Sequence, residues 1–402
     1  MLHSFAFSNF RAFREPAEVS FCLTPAEPVN GWAVQAPSGQ RLTTALAVIG
    51  PNASGKTTLL QPLSFLAWFI AHSFSMPPEA ELDITPHFGL EDEPSEFEIV
   101  ADGNVPGSLY RYRLSTNSQR VLSESLEKQD TLRSKWRPIF DRNDTGHAYK
   151  ITQSEEFGLA PEQAANVRPN VSLVSWARQY GVRMGEQVMR WITMANVDPR
   201  GLIPNHHAAS LTYSAQHFVR NPSQQTRMRD LMKQMDLGLS DIDIREVVRV
   251  ASSGSNVVDQ KSEWVPYGLH RDGKRTFELP FHSESSGTQA AFNLLASLLQ
   301  VIERGGLMIY DEFDSSLHPH LIEPLLTLFA SPESNPKGAQ IIFTTHATET
   351  VLRFLQKSQV VLVEKNGIES EAYRLDEMEG VRADENRAAR YRAGAYGAIP
   401  RV

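Results

Sequence analysis

Apolar positions along the chain follow two periods. LTTALAVI (42–49) is short and almost continuously apolar, which predicts a strand buried on both faces. TTLLQPLSFLAWFIAHSF (57–74) is longer and reads as an apolar helix. SMPPEAELDITPHFGLEDEPS (75–95) breaks the pattern as an acidic, Pro-containing loop. SEFEIVADG, SLYRYRLST and RVLSESLEKQ then alternate as consecutive β-segments, separated by turn signals at DGNVPG and STNSQ. KWRPIFDRNDTGHAYKIT predicts a further hairpin, and 1–23 and 41–49 predict strands around a polar loop.

From about 155 to 235 the pattern turns helical and more polar, in ARQYGVRMGEQVMRWITMANV and QQTRMRDLMKQMDLGL. Heptads are not sustained there, which argues against a long coiled coil. IDIREVVRV, WVPYGLHR and RTFELPF return to strands. AAFNLLASLLQVI (290–302) predicts a helix, and GLMIY (306–310) and QIIFTTHATE (340–349) predict buried strands. The predicted organisation is an α/β core in two halves, 1–154 and 236–402, with a helical insertion at 155–235 between them. No internal repeat is evident.

Composition changes the picture in three ways. At 402 residues the chain is too long for one ordinary core. Its formal net charge of −8 argues against a generic polyanion binder. A single cysteine, Cys22, excludes a disulfide framework and fits a reducing, cytoplasmic setting. The N-terminal MLHSFAFSNFRAF has no basic segment followed by an apolar core, and the longest apolar run, LSFLAWFIA, is too short to span a bilayer. No membrane partner is expected.

The chemistry starts at GPNASGKT (50–57), which fits the phosphate-loop pattern with Gly50, Gly55, Lys56 and Thr57 at the fixed places. Glycines allow backbone N–H groups to turn onto a phosphate; Lys56 reaches the β/γ-phosphates, and Thr57 offers its hydroxyl to Mg²⁺. Asn52, Ser54 and Thr58 complete the candidate ATP-binding set. A chance Gly/Ser turn is the plain alternative, and the strand before and helix after the loop argue against it. Asp311 ends the GLMIY strand as the candidate metal-holding acid, and Glu312 is the candidate base for the attacking water. An isolated pair of exposed acids is common; in a chain that also holds a phosphate loop it is not. His346, at the end of QIIFTT, is a candidate γ-phosphate sensor, since ligand groups gather at the carboxyl ends of strands in such sheets.

In this order the motifs resemble those of an ABC-type ATPase. ESSGTQ (284–289) resembles the signature of that class, DSSLHP (314–319) its D-loop, and His346 its switch histidine. FSNFRAF (7–13) and the long gap between phosphate loop and signature resemble the SMC/RecF/OLD branch. Within it, ESSGTQ, YDEFDSSLHPHL, QIIFTTH, VVLVEKNG and YRAGAYGAIP are most similar to the AAA-family ATPases of abortive-infection operons, the RloA/AbiL kind. The resemblance implies an ABC-type P-loop NTPase core, a mixed sheet flanked by helices plus an antiparallel β-subdomain. It implies a cytoplasmic ATPase using ATP and Mg²⁺ in antiphage defence, beside a nuclease or toxin partner. It places Arg11 near the nucleotide. Ser285, Ser286, Gly287 and Gln289 would cap the γ-phosphate bound by another copy, with Asp314 and Ser315 in the D-loop, giving an ATP-sandwich homodimer and leaving higher oligomers open.

The chain departs from the class in carrying Ser-Ser-Gly-Thr rather than Ser-Gly-Gly, and in offering no glutamine to place as a Q-loop. An OLD-type C-terminal nuclease domain is not expected. The competing reading is a RecF/SMC-like genome-maintenance ATPase that binds DNA; a transport cassette fits poorly with the large insertion. Arg178, Arg183, Arg190, Arg220, Arg227 and Arg229 lie among Trp176, Tyr180, Trp191, Tyr213 and Phe218, a candidate nucleic-acid or partner surface. A solvated helical face over core aromatics is the preferred reading of that set. HSESS lacks the strand-turn-helix context of a serine hydrolase. Phe10, Arg11 and Phe13 are candidates for the base end of the nucleotide, and AARYRAGAYGAIP reads as a structural tail.

Overall fold

The computed structural model describes residues 1–24, 31–182, 184, 192–197, 207–253, 257–382 and 385–400. They form two compact units. The first comprises Met1–Ile203, Arg304–Phe313 and Leu326–Val402; the second comprises Pro204–Glu303 and Asp314–Leu325. The region read as a helical insertion, 155–235, is divided between them.

The first unit holds two large sheets. One is antiparallel and joins β1 (Leu2–Ser8), β2 (Ala17–Ser20), β6 (Ser95–Asp102), β7 (Leu109–Thr116), β8 (Val121–Gln129), β9 (Arg137–Asp144) and β10 (Tyr149–Gln153). Its order is β10-β9-β8-β7-β6-β1-β2, so the chain's first strand pairs with β6 across the intervening elements. The alternation in SEFEIVAD is the cause: Phe97, Ile99 and Ala101 turn inward at 2%, 1% and 2% exposure while their neighbours face outward. A two-stranded ribbon, β3 (Ala33–Gln35) with β4 (Arg41–Thr43), lies beside it in sequence.

The other sheet consists of β5 (Ala45–Ile49), β11 (Ile192–Ala195), β15 (Leu307–Tyr310), β16 (Gln340–Thr344), β17 (Val360–Asn366) and β18 (Glu369–Arg374). The order is β11-β15-β16-β5-β17-β18, parallel except at the β17–β18 edge. All five residues of ALAVI are fully buried, as a strand covered on both faces must be. Helix α1 (Lys56–His72) shares one core with both sheets. Leu59, Leu60, Leu63 and Phe69 are fully buried, and the Phe65 ring lies 5.4 Å from that of Phe97 on β6. A helix apolar all round needs such enclosure. Strand β11 corrects the helical reading of RWITMANV. Residues 185–191 lie outside the described residues, and ITM reads equally well as a short β-branched strand once β15 offers a parallel edge. The first unit also holds α2 (Pro161–Ala165), α3 (Leu173–Gln179), α8 (Thr348–Phe354) and α9 (Arg387–Arg392).

The second unit contains α4 (His207–Arg220), α5 (Pro222–Gln234) and most of α6 (Ser286–Arg304), with the meander β12 (Asp241–Ser253), β13 (Val257–Asp272) and β14 (Arg275–Pro280). Phe292 on α6 is fully buried between Phe218 and Phe281, at centroid distances of 5.2 and 4.8 Å. Helix α7 (Pro319–Thr327) begins in this unit. No helix among the described residues is long and apolar enough to cross a membrane.

Candidate functional site

The loop between β5 and α1 is shaped by two close approaches. A Cβ on Gly50 would lie 2.1 Å from the Val363 carbonyl oxygen of β17, so only glycine fits. Gly55 is left-handed at φ +108°, with the Ser370 hydroxyl 2.8 Å from where its Cβ would stand. Ala53 is also left-handed. Lys56, 8% exposed, donates from Nζ to the carbonyls of Gly50 and Pro51 at 3.0 and 2.9 Å. Its ammonium is therefore held inside the curve of the loop, at the N-terminus of a 17-residue helix where anions are favoured. Asn52 and Thr57 are exposed, Thr58 is half-buried, and Ser54 is buried at 2% exposure.

The acids stand beside this loop in the same unit. The Thr57 hydroxyl donates to Asp311 Oδ2 at 2.8 Å, which joins the phosphate loop to the end of β15. Thr344, the last residue of β16, donates its hydroxyl to Asp311 Oδ1 at 2.6 Å and accepts from the Glu312 amide at 2.8 Å. Glu312 is exposed and has a left-handed backbone, φ +53°. That conformation is costly for a residue with a Cβ, and the Thr344 bond together with the bond from Phe313 N to Thr344 O, 2.9 Å, holds it in place. His346 is exposed two residues beyond β16. Parallel strands β15, β16 and β5 thus end with Asp311, Thr344 and the phosphate loop side by side.

Two contributors were not singled out in the sequence. Thr344 is one; its signal was a hydroxyl at the end of an apolar strand, one place before Thr345 and two before His346. Asn196 is the other. It follows β11, and its side chain brackets the Asp311 peptide: Oδ1 accepts from Asp311 N at 2.7 Å and Nδ2 donates to Asp311 O at 3.0 Å. The sequence offered no Q-loop glutamine after a recognised strand; the structure puts an asparagine amide at the end of an unrecognised one.

The second unit brings the signature-like and D-loop-like stretches together. Ser285 caps α6: its Oγ accepts from Thr288 N at 3.2 Å and lies 2.9 Å from the Thr288 hydroxyl. Ser285 and Ser286 are exposed, and a Cβ on Gly287 would stand 3.1 Å from the Ser316 carbonyl oxygen. Gln289 donates to Glu284 O at 2.9 Å. Asp314 accepts from Leu317 N through its carbonyl at 3.0 Å, and Ser315 is exposed.

Other expected contributors are placed differently. Phe10 and Phe13 are core residues, 2% and 0% exposed, and their rings pack edge-on against Phe7, so neither is free to stack on a base. Arg11, at φ +52°, has its guanidinium 5.6 Å from the Phe10 ring, while the neighbouring Ala12 carbonyl accepts from Ser370 N at 2.7 Å. Of the arginine and aromatic set, Trp176 and Phe218 are buried, and Arg229 is paired with Asp241 at 2.8 Å. These are structural roles, and among the described aromatics of the set Tyr180 and Tyr213 are exposed, at 46% and 58%. Arg183, Arg190 and Trp191 lie outside the described residues.

The family model described as "AAA domain, putative AbiEii toxin, Type IV TA system" matches residues 46–176 and 179–352, well over half of the chain. Among solved structures, the chain is similar to an SMC head bound to the C-winged helix domain of ScpA, at 11% identity, covering 94% of this chain and 98% of that one, with a TM-score of 0.46. It is also similar to the SMC head domain from Thermotoga maritima, at 14% identity over 93% and 98%, with a TM-score of 0.42. For an SMC head from Pyrococcus furiosus with an extended coiled coil, bound to the C-terminal domain of ScpA, the figures are 9%, 94%, 97% and 0.39. No curated protein matches the chain. The fold itself is α/β, a mainly parallel sheet in which the phosphate-loop and acid strands are separated by one strand, together with an antiparallel sheet in the same unit.

Proposed function

The chain belongs to this AAA-domain family, and from that premise we propose that it binds and hydrolyses ATP as a nucleotide-driven dimerisation switch. The observation that carries the reading is the hydrogen-bonded line Thr57–Asp311–Thr344, which ties the phosphate loop, the acid strand and the following strand into one site. Lys56 neutralises the β/γ-phosphates. Thr57 and Asp311 would hold Mg²⁺: both offer hard oxygen, and a donor set of one hydroxyl and one carboxylate suits an ion that keeps water and phosphate as its other ligands. Among the described residues, no group of three or more His, Cys, Asp or Glu side chains forms a separate metal cage. When bound, the ion supplies charge neutralisation on the transferring phosphoryl group.

Glu312, held by Thr344 at the sheet's carboxyl edge, acts as general base toward the attacking water. His346, beyond the same strand, senses the γ-phosphate. Arg11, Asn52, Ser54 and Thr58 complete the ATP-binding set. Ser285, Ser286, Gly287 and Gln289 of a second copy cap the γ-phosphate, with Asp314 and Ser315 at the shared face. Exposure of Ser285 and Ser286 supports this: both are reachable by another molecule while Ser285 orders the start of α6. The γ-phosphate then bridges two copies, and its loss loosens them.

The words in the family description support a role in antiphage defence, in the manner of the RloA/AbiL kind, in which closure of the dimer controls a nuclease or toxin partner. The test is the solution mass of the chain with and without ATP and Mg²⁺. The wild type should shift from monomer to dimer only with nucleotide, and Ser286→Arg should block the shift while ATP still binds. A dimer that forms equally well without nucleotide would remove the switch from the account.

A further inference from the structure

The phosphate loop has a second side. A cleft of about 290 Å³ is lined by Pro51–Ser54 on one wall, by Glu364 and Lys365 at the end of β17 and Gly367 of the following turn on another, and by Ile399 on the third. All of these lie in the first unit. The cleft is small for a ligand site but sufficient for a flat heteroaromatic ring. Its walls combine the backbone of a tight loop, one branched apolar side chain, one carboxylate and one ammonium. Ser54 Oγ, 2% exposed, has no hydrogen-bond partner among the described residues.

Ile399 is in this wall because the end of the chain is fastened in place. Arg387, 8% exposed, donates from Nη2 to the Leu355 carbonyl at 2.6 Å. Tyr373 on β18 donates to the Tyr396 carbonyl at 2.8 Å, and Tyr391 donates to the Ala398 carbonyl at 2.6 Å. The Ala398 amide donates to Glu364 Oε2 at 3.1 Å. Tyr396 is 1% exposed, and a side chain on Gly397 would meet both Glu364 Oε2 and Tyr373 Oη at 2.8 Å. This segment is therefore a fitted part of the β17–β18 edge, and its apolar end faces the outer side of the phosphate loop.

We infer that this cleft seats the purine base of the nucleotide, with Ile399 as its apolar wall and Glu364 and Lys365 reading the base edge, so that the 385–400 segment is part of the nucleotide site. The inference rests on the ATP reading above. It also accounts for the burial of Phe10 and Phe13, which leaves the base to be held elsewhere. A carboxylate accepts from an exocyclic amine and an ammonium donates to a ring nitrogen, the two kinds of contact a purine edge offers.

The test compares two probes on the full chain with Mg²⁺: ATP, and inorganic tripolyphosphate, which has the phosphates but no base. By calorimetric titration, Ile399→Ala should weaken ATP roughly tenfold, the affinity change expected for losing part of a branched apolar contact, and leave tripolyphosphate unchanged. Lys365→Ala, at the exposed end of β17, should weaken ATP alone in the same way, which guards against a folding defect in the tail. Lys56→Ala should weaken both probes. The inference is overturned if Ile399→Ala and Lys365→Ala leave ATP at its wild-type affinity, or if they weaken both probes alike. Wild-type protein that binds ATP no better than tripolyphosphate overturns it too. Wild-type protein that binds neither probe overturns the nucleotide reading itself.

Discussion

Glu124 and Asp311 are both carboxylates held by hydroxyls and backbone, yet they sit in opposite surroundings. Glu124, on β8, is fully enclosed. Its Oε1 accepts from Tyr112 Oη at 2.9 Å and Ser172 Oγ at 2.7 Å, and its Oε2 from Leu173 N at 2.9 Å and Arg142 Nη1 at 3.1 Å. Arg142, 0% exposed, spends its other terminal donors on the carbonyls of Val171 and Arg168 at 2.6 and 2.9 Å and lies 3.8 Å from the Tyr149 ring centre. Burial beside this carboxylate pushes the Tyr112 phenol well above its usual range. Such a network fastens the start of α3 to the antiparallel sheet and leaves little for a ligand to use. Asp311 takes its side-chain bonds from two neutral hydroxyls and stands half-buried next to an exposed Glu312. One cluster uses its polar groups on itself; the other orients them and keeps them reachable. The difference separates an architectural polar core from a site.

The comparison is sharpest where a substitution should affect one cluster and spare the other. Glu312→Gln keeps the shape and removes the base; turnover should fall by roughly 10²–10⁴-fold with an unchanged melting temperature, read by phosphate release and thermal unfolding. Arg142→Ala leaves a buried carboxylate without its cation and should cost about 3–5 kcal/mol of stability by denaturant titration. The protein that remains folded should hold ATP as wild type does; a matching loss of ATP affinity would break the separation. Asn196→Ala frees the Asp311 peptide from its bracket and should lower turnover by roughly tenfold, with a loss of about 1–2 kcal/mol in transition-state stabilisation. Thr344→Val retains the shape and removes one hydroxyl; its expected cost is about 1 kcal/mol, seen as a higher Mg²⁺ requirement for turnover.

Much of this was legible in the residues. The phosphate loop, the apolar strand ending in Asp311 and Glu312, and the strand leading to His346 are local patterns, and local patterns survive in sequence. ALAVI was recognisable because it is buried on both faces and apolar throughout, and the α1 helix because most of its length is buried and apolar. What escaped was set by pairing across long separations. Strand β11 is four residues long and gains its identity only from β15, more than a hundred residues later. Asn196 was hidden with it. Phe10 and Phe13 read with Arg11 as candidates for the base end of the nucleotide, whereas the turn between β1 and β2 folds both rings into the core. Ser285 illustrates a third case, since a hydroxyl before a helix serves as a cap whether or not it also meets a ligand. VVLVEKNG and YRAGAYGAIP were legible as stretches that carry the family resemblance, but not as neighbours of the phosphate loop, because that relation is one of shape.

The central claim is that the Lys56, Thr57 and Asp311 cluster is a nucleoside-triphosphate site distinct from the architectural core. Its most direct test is calorimetric titration of Mg²⁺–ATP into wild type and Lys56→Ala, paired with thermal unfolding of each. The account predicts binding by the wild type, loss of binding in Lys56→Ala, and closely similar melting temperatures without nucleotide. Equal affinity in the two proteins would contradict it.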